Sequence, residues 1–250
     1  MDTTRFLGKV GVVTGGAGGI GLAIARRFVA EGGKIVIGDV KTEPFAEITA
    51  ELGEDKCRCV YCDVTDRKTV DDMIQTAYDV FGGFDVMFGN AGINLMKDFL
   101  DFTQEEHERI LRVNYFGSFN TTQAAGRAFV AHETKGVIVN TASINVRLAC
   151  PNSTPYAASK GAIAAMTRGA AVEFSKYGIR CNCIGPGSTL TDMVSGPAIE
   201  RFPNYTAPKL MIKRMAQPEE QAALACFLAS DDASYIDGEI IYSAAGWGLS

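Results

Sequence analysis

The sequence predicts an α/β fold, a single doubly wound parallel sheet of seven strands with helices on both faces. Two observations carry this. Short apolar runs alternate with longer helical patterns along the whole chain, and runs such as "VGVV", "IVI" and "VIV" are apolar throughout instead of alternating with polar residues. Repeated βα units need right-handed crossovers, which lay strands parallel and place helices on both faces; strands buried on both sides then read as continuous apolar runs.

In order, "KVGVVT" precedes a helix over Gly19 to Glu31, "KIVIGD" one over Glu43 to Leu52, and "CRCVYCD" one over Lys68 to Phe81. "FDVMFGNAG" leads into helical sequence from Gln104 onward, "GVIVNTAS" into a helix from about Thr154 to Lys176, and "IRCNCIGPG" into an irregular segment and a helix over Glu219 to Ser230. "GEIIYSAA" supplies the seventh strand. No Pro/Ser-rich linker or solenoid-like repeat divides the chain, so residues 1–250 are expected to form one domain. The stretch from Ser188 to Gln217 holds three prolines and many apolar residues without clear periodicity. A long excursion of this kind inside a compact domain is usually functional, and a substrate lid is expected there.

Of 250 residues, 47% are hydrophobic and 21% charged, the balance of a globular protein able to bury a full core. The formal net charge is −5 and Lys and Arg form no cluster, which argues against nucleic-acid binding. No run approaches the ~18 apolar residues that cross a bilayer, and the amino terminus lacks signal-peptide character, so no membrane association and a cytoplasmic location are expected. Seven cysteines include "CRCVYC" and "CNC". Both groups lie in strand-like runs without the second CxxC or His pair of a zinc set, so they read as reduced strand residues, and no metal site is expected.

"VVTGGAGGIGLAIA" places Gly15, Gly19 and Gly21 where the first strand meets the first helix. Without a Cβ the chain can turn tightly there and let a pyrophosphate approach the N–H groups at the helix start. Asp39 ends the second strand, where an acid either accepts hydrogen bonds from an adenosine ribose or closes a turn; in the first role its charge repels a 2′-phosphate and favours NAD over NADP. Lys41, two residues on, weakens that preference slightly. Asp63 and Val64 end the third strand, and Asn90, Ala91 and Gly92 the fourth, all on the carboxyl edge where ligands of open α/β sheets bind.

Tyr156 and Lys160 stand four residues apart and share a helix face, so an ammonium near the phenol is expected to lower its pKa and make Tyr156 a proton donor and acceptor. Ser143 ends the fifth strand on the same edge, where its hydroxyl can hold a substrate oxygen. Asn114, in "LRVNYFGSFN", is a costly polar residue within a helix, and either bonds to neighbouring backbone or organises water.

Taken together, "TGGAGGIG", Asp63 in "CDV", "NAG", Asn114, Ser143, "YAASK" and "PGSTLT" occur in the order and spacing of the short-chain dehydrogenase/reductase family, which the sequence resembles over essentially its whole length. The resemblance implies a Rossmann sheet of seven strands and a catalytic tetrad of Asn114, Ser143, Tyr156 and Lys160. It implies an NAD site at Gly15, Gly19, Ile20, Gly21, Asp39, Asp63, Val64, Asn90, Ala91, Gly92, Tyr156 and Lys160, with Pro186, Gly187, Thr189 and Thr191 bordering the nicotinamide. Ser143, Asn145 and Tyr156 would contact a small alcohol or ketone. In oxidation Ser143 would position the alcohol, Tyr156 take its proton, Lys160 hold the ribose, and Asn114 anchor a relaying water. A homotetramer is the family expectation.

The sequence departs from the family pattern in two places. Gly89 stands where many relatives carry Asn, and Ala244 and Ala245 replace the first two residues of a usual Asp-Gly-Gly. The rival activity is 3-oxoacyl-carrier-protein reduction, which usually uses NADPH and is disfavoured by Asp39; a catalytically silent NAD-binding regulator is the rival of another class. Met193, Ile199, Phe202, Tyr205, Leu210 and Met211 in the lid, with Ile144, Leu148 and Cys150 after Ser143, suit a bulky apolar substrate such as a hydroxysteroid or bile acid, or are ordinary lid packing. Arg147 either meets a distant substrate carboxylate or is a solvated loop charge.

Overall fold

The computed structural model describes residues 4–194 and 197–249, with positions 197 and 198 as backbone only, so Ser195 and Gly196 of the expected lid lie outside the described residues. Seven strands form one sheet: β1 (Val10–Thr14), β2 (Lys34–Asp39), β3 (Cys57–Tyr61), β4 (Val86–Gly89), β5 (Val137–Thr141), β6 (Arg180–Pro186) and β7 (Ile240–Ser243). Their order is β3-β2-β1-β4-β5-β6-β7, and every pairing is parallel. The chain therefore winds outward in one direction from β1 and, from β4, in the other.

The main helices are α1 (Gly19–Ala30), α2 (Phe45–Leu52), α3 (Arg67–Phe81), α4 (Gln104–Leu111), α5 (Gly117–Ala131), α6 (Thr154–Phe174), α7 (Pro197–Arg201) and α8 (Pro218–Ala229). Local chemistry sets their starts. The Asp66 side chain accepts from Lys68 N–H ahead of α3; Thr103 and Glu106 form a reciprocal capping box at α4, as Gln217 and Glu220 do at α8. Among the described residues no helix is long and apolar enough to cross a membrane.

Two apolar layers sandwich the sheet. Phe28 of α1 is fully buried, stacked on Phe6 with ring centroids 4.2 Å apart and edge-on to Phe88 at 5.8 Å. Truncating such a side chain to Ala typically costs about 3–5 kcal/mol. On the other face Phe84 stacks on Phe129 at 4.5 Å among Val12, Val36, Met73 and Ile138. Glu31 is a fully buried carboxylate between Arg27 (2.8 Å) and Arg5 (3.3 Å), tying the amino-terminal segment to the end of α1.

The helical sequence after Gln104 is one run interrupted by a π turn over Arg112–Phe116, which contains Asn114. The segment expected to be irregular holds short helical turns: α7 runs into a π turn at Phe202–Thr206 and a 3-10 turn at Ala207–Lys209. Gly89 has a packing reason. A Cβ there would lie 2.5 Å from Oδ1 of Asn140, a buried amide that accepts from Thr122 Oγ1 and donates to Thr167 Oγ1.

Candidate active site

The reversal of strand order between β1 and β4 opens a crevice at the carboxyl edge of the sheet. Its floor is the loop from Thr14 to Gly19. Gly15 has φ +64°, and a Cβ on it would lie 2.8 Å from Ala91 Cα, while one on Gly21 would collide with the Gly15 carbonyl oxygen. The loop is stitched to the end of β4. Thr14 Oγ1 accepts from the N–H groups of Asn90 (3.1 Å) and Ala91 (3.2 Å), and Asn90 Nδ2 donates to the carbonyls of Thr14 (3.3 Å) and Gly15 (3.1 Å). Asn90 thus spends its amide on shaping the loop.

Helix α1 begins behind Gly18 with no side-chain cap, which leaves its first-turn N–H groups facing the crevice for an anion. Asp39, at the end of β2, accepts from Ala17 N–H and from Lys41 N–H, both at 3.0 Å, so it orders the glycine loop and keeps lone pairs for a ligand hydroxyl. Ile20 is half-buried and packs against the core. Asp63 Oδ1 accepts from Thr65 N–H (2.9 Å) and its hydroxyl (2.8 Å), and Val64 is buried against Gly117. On the far side Pro186 ends β6 and Gly187 lies against Ala244. Thr189 is buried, donating to Gly187 O at 3.1 Å and accepting from Gln221 Nε2 at 3.3 Å, whereas the Thr191 methyl reaches toward Gly19.

Ser143, Tyr156, Lys160 and Asn114 converge beside this crevice. Ser143 Oγ accepts from Asn145 N–H at 3.2 Å and hydrogen-bonds Tyr156. Lys160 is buried, donates to the Thr141 carbonyl at 2.8 Å, and holds its ammonium 5.6 Å from the Tyr156 ring centroid. Asn114 is fully buried: Oδ1 accepts from Ile93 N–H (2.8 Å), and Nδ2 donates to Ile93 O (3.0 Å) and Ser159 Oγ (2.9 Å). Ser159 in turn donates to Tyr156 O at 2.7 Å. Of the two readings of Asn114, bonding to neighbouring backbone is the one its side chain adopts. Gly92 adjoins both Asn114 Oδ1 and Lys160 Nζ.

The electrostatics differ from the expected depression of Tyr156. Burial pushes its hydroxyl up to about 12, with the Ser143 hydrogen bond pulling the other way, and burial pushes Lys160 down to about 8. The Lys160 ammonium is itself desolvated, so burial outweighs the charge that the i,i+4 spacing brings near the phenol.

Sequence reasoning missed Thr14, Thr141 and Ser159, which build the site through bonds to other members. Thr14 and Ser159 were visible only as neighbours of "GG" and of Lys160, and Thr141 acts through its backbone, which carries no sequence signal. Asn94 was also missed; its Oδ1 is buried without a partner among the described residues.

A glycine-lined crevice at the switch point of a parallel sheet defines the dinucleotide-binding class of α/β fold. A family model described as Enoyl-(Acyl carrier protein) reductase matches residues 15–248. Momilactone A synthase of Oryza sativa subsp. japonica is 38% identical over 95% of this chain and 89% of its own. The 3beta-hydroxysteroid dehydrogenase 2 of Eggerthella lenta is 36% identical over 96% and 95%. The crystal structure of a short-chain type dehydrogenase/reductase from Mycobacterium marinum superposes with a TM-score of 0.93 at 30% identity, covering 100% of this chain and 99% of that one. The chain belongs to the short-chain dehydrogenase/reductase family and is an oxidoreductase.

Proposed function

We propose that the protein is an NAD-dependent oxidoreductase interconverting a secondary alcohol and a ketone, with a hydroxysteroid-like ring as the substrate body. The observation that carries this reading is the pairing of the Ser143 and Tyr156 hydroxyls beside buried Lys160, on the edge that also holds the glycine loop. The residues present fit NAD: an uncapped α1 start for the pyrophosphate, close-packed Gly15 and Gly21, and the Asp39 carboxylate, which accepts ribose hydroxyls and repels a 2′-phosphate. NAD held there would supply the hydride chemistry, as acceptor from the alcohol carbon in oxidation and as donor to the ketone in reduction.

The side chains handle the oxygen and its proton. Ser143 Oγ orients the substrate oxygen, and Tyr156 exchanges the proton with it. A hydroxyl with pKa about 12 is protonated at neutral pH and ready to donate to a carbonyl oxygen, which favours reduction there and oxidation at higher pH. Lys160 keeps a cation beside the phenol, which stabilises the phenolate as the proton leaves, and Asn114 positions the helix carrying both through Ile93 and Ser159.

Support for a bulky apolar substrate comes from the name of the Eggerthella relative and from the exposed side chains of Met193, Ile199 and Met211 near the crevice. Leu210 is buried and lines a recess with Gly187, Ser188 and Ala245. Exposed Phe116 and Phe119 and nearly bare Val172 (77% exposed) support self-association into a homotetramer, which sedimentation would check by its mass. The test of the activity is a panel of hydroxysteroids, bile acids, polyols and 3-hydroxyacyl compounds assayed separately with NAD and NADP. Turnover of ring alcohols with NAD is expected; equal or better activity with NADP overturns the cofactor assignment, and exclusive use of 3-hydroxyacyl compounds overturns the substrate.

A further inference from the structure

Arg147, the cation singled out in the substrate loop, is engaged elsewhere: its guanidinium carbon sits 4.0 Å from the Tyr242 ring centroid. Two other cations lie in the segment expected to form the lid. The Arg201 guanidinium and the Lys209 ammonium share the ring of Tyr205, at 5.1 Å and 3.3 Å from its centroid. Neither makes an ion pair or hydrogen bond among the described residues, and Glu200, the adjacent acid, is exposed. Two unpaired like charges on one ring repel each other, and the chain, at net −5, has acids to spare for neutralising them.

Cys150 connects this pair to the reacting end. It lies in the loop that follows Ser143, feels the positive charge of both Lys209 and Arg201, and itself acts electrostatically on Tyr156. Cys150 is thus coupled electrostatically both to the Tyr156 hydroxyl and to the two cations. The ring contacts hold the two long side chains in place, which reduces the entropy lost when they engage a ligand, and a guanidinium stacked by its face keeps its edge N–H groups for bidentate bonding.

We propose that Arg201 and Lys209 form an anion subsite at the outer end of the substrate cleft, so that the substrate carries an anionic group remote from its reacting carbon. This rests on the alcohol–ketone reading above. A free carboxylate and the phosphates of a coenzyme A thioester present the same chemistry, and the test separates them.

The test uses ring alcohols that differ only in charge: a hydroxysteroid with a side-chain carboxylate, its carboxamide, and its coenzyme A thioester. For each, kcat/KM with NAD is measured, and Kd is measured by calorimetry on the NAD-loaded protein. The carboxylate or the thioester is expected to bind and react at least about tenfold better than the carboxamide, with the advantage shrinking as salt rises. Which of the two does so identifies the anion. In the Arg201→Gln/Lys209→Gln variant, checked for native circular dichroism, the ratio of anionic to neutral substrate should fall toward one. A ratio near one in the unaltered protein, or an undiminished ratio in the variant, overturns the subsite; if the alcohols are nevertheless oxidised, the proposed reaction stands. Preferential binding of the anion with no turnover of any alcohol or ketone keeps the subsite and overturns the reaction.

Discussion

Asn114 and Ile93 form a closed pair: the Asn114 side chain accepts from the Ile93 N–H at 2.8 Å and donates to the Ile93 carbonyl at 3.0 Å. The pair replaces a missing strand partner. Beyond Gly89 the chain has left the sheet, and its half-buried backbone groups at Ile93 would lack these partners without this amide. The π turn places Asn114 for the task, since one extra residue in the turn rotates a helical side chain out of its regular stripe.

Asn114→Ala should therefore weaken both the fold and the site. Two stranded backbone groups at about 1–3 kcal/mol each, partly relieved by entering water, predict a loss of about 3 kcal/mol. Urea unfolding checks this as a fall in midpoint at unchanged slope. A midpoint within error of the parent would mean that the clamp contributes nothing.

Tyr156→Phe removes the exchangeable proton and little else. General acid–base groups contribute about 10²–10⁴ in rate, so kcat should fall by about 10³ while NAD still binds, read by calorimetry. Before any substrate is added, ultraviolet difference spectra of the two proteins should reveal no tyrosinate from Tyr156 up to its ordinary pKa of 10.0, because burial raises it to about 12. A tyrosinate appearing near neutral pH would show that Lys160, not burial, controls the phenol.

Lys160 makes a prediction of opposite sign for stability. Its folded pKa of about 8 lies below the ordinary 10.5, so between those values the unfolded chain binds more protons and stability rises with pH. The contribution is on the order of 3 kcal/mol, complete above 10.5 and lost as pH falls through 8. The buried thiols of Cys62, Cys183 and Cys226, raised from 9.0, and Tyr156, raised from 10.0, oppose it above about pH 9 and 10. Across this window the urea midpoint of the native protein should therefore rise relative to that of Lys160→Met; parallel curves would refute the assignment.

Asp39→Asn keeps an oxygen for the Ala17 N–H and removes the charge. The ratio of kcat/KM for NAD over NADP should fall by at least about tenfold, or 1.4 kcal/mol. An unchanged ratio would leave Asp39 as a loop-former only.

How far the sequence disclosed this arrangement depends on where the information sits. The inner strands, such as β1 and β2, were legible because burial on both faces forces unbroken apolar runs, while the edge strands β3 and β7, only partly buried, were legible from the alternation with helices; the ends of the strands located Asp39, Asn90, Ser143 and Pro186 on one edge. The i,i+4 spacing put Tyr156 and Lys160 together. What it did not disclose depends on three-dimensional neighbours. The π turn at Asn114 leaves no periodic trace in five residues, and burial reversed the expected direction of the Tyr156 shift. Arg147 turned to Tyr242 because β7 passes beneath its loop, while Arg201 and Lys209, eight residues apart, met only because short helical turns bring them onto Tyr205.

The carboxyl-terminal departure from the family pattern yields the last prediction. Ala245 has φ +51°, a left-handed conformation that crowds a Cβ and that glycine adopts freely. The surroundings hold it there: the Ala245 carbonyl accepts from Met211 N–H at 2.8 Å, and the Ala244 carbonyl accepts from Trp247 N–H at 2.9 Å. Left-handed backbone costs an alanine about 1–2 kcal/mol, whereas glycine forfeits about 0.5–1 kcal/mol to the greater freedom of the unfolded chain. The difference favours Ala245→Gly by up to about 1 kcal/mol, or about 2–4 °C in Tm for a chain of this size. Calorimetric scans of the two proteins decide it, and a Tm equal to or below the parent's would show that the strain is absorbed elsewhere. Because the same carbonyl anchors Met211 in the segment bordering the crevice, Ala244→Gly, which relieves no positive φ, serves as the control and should lower Tm instead.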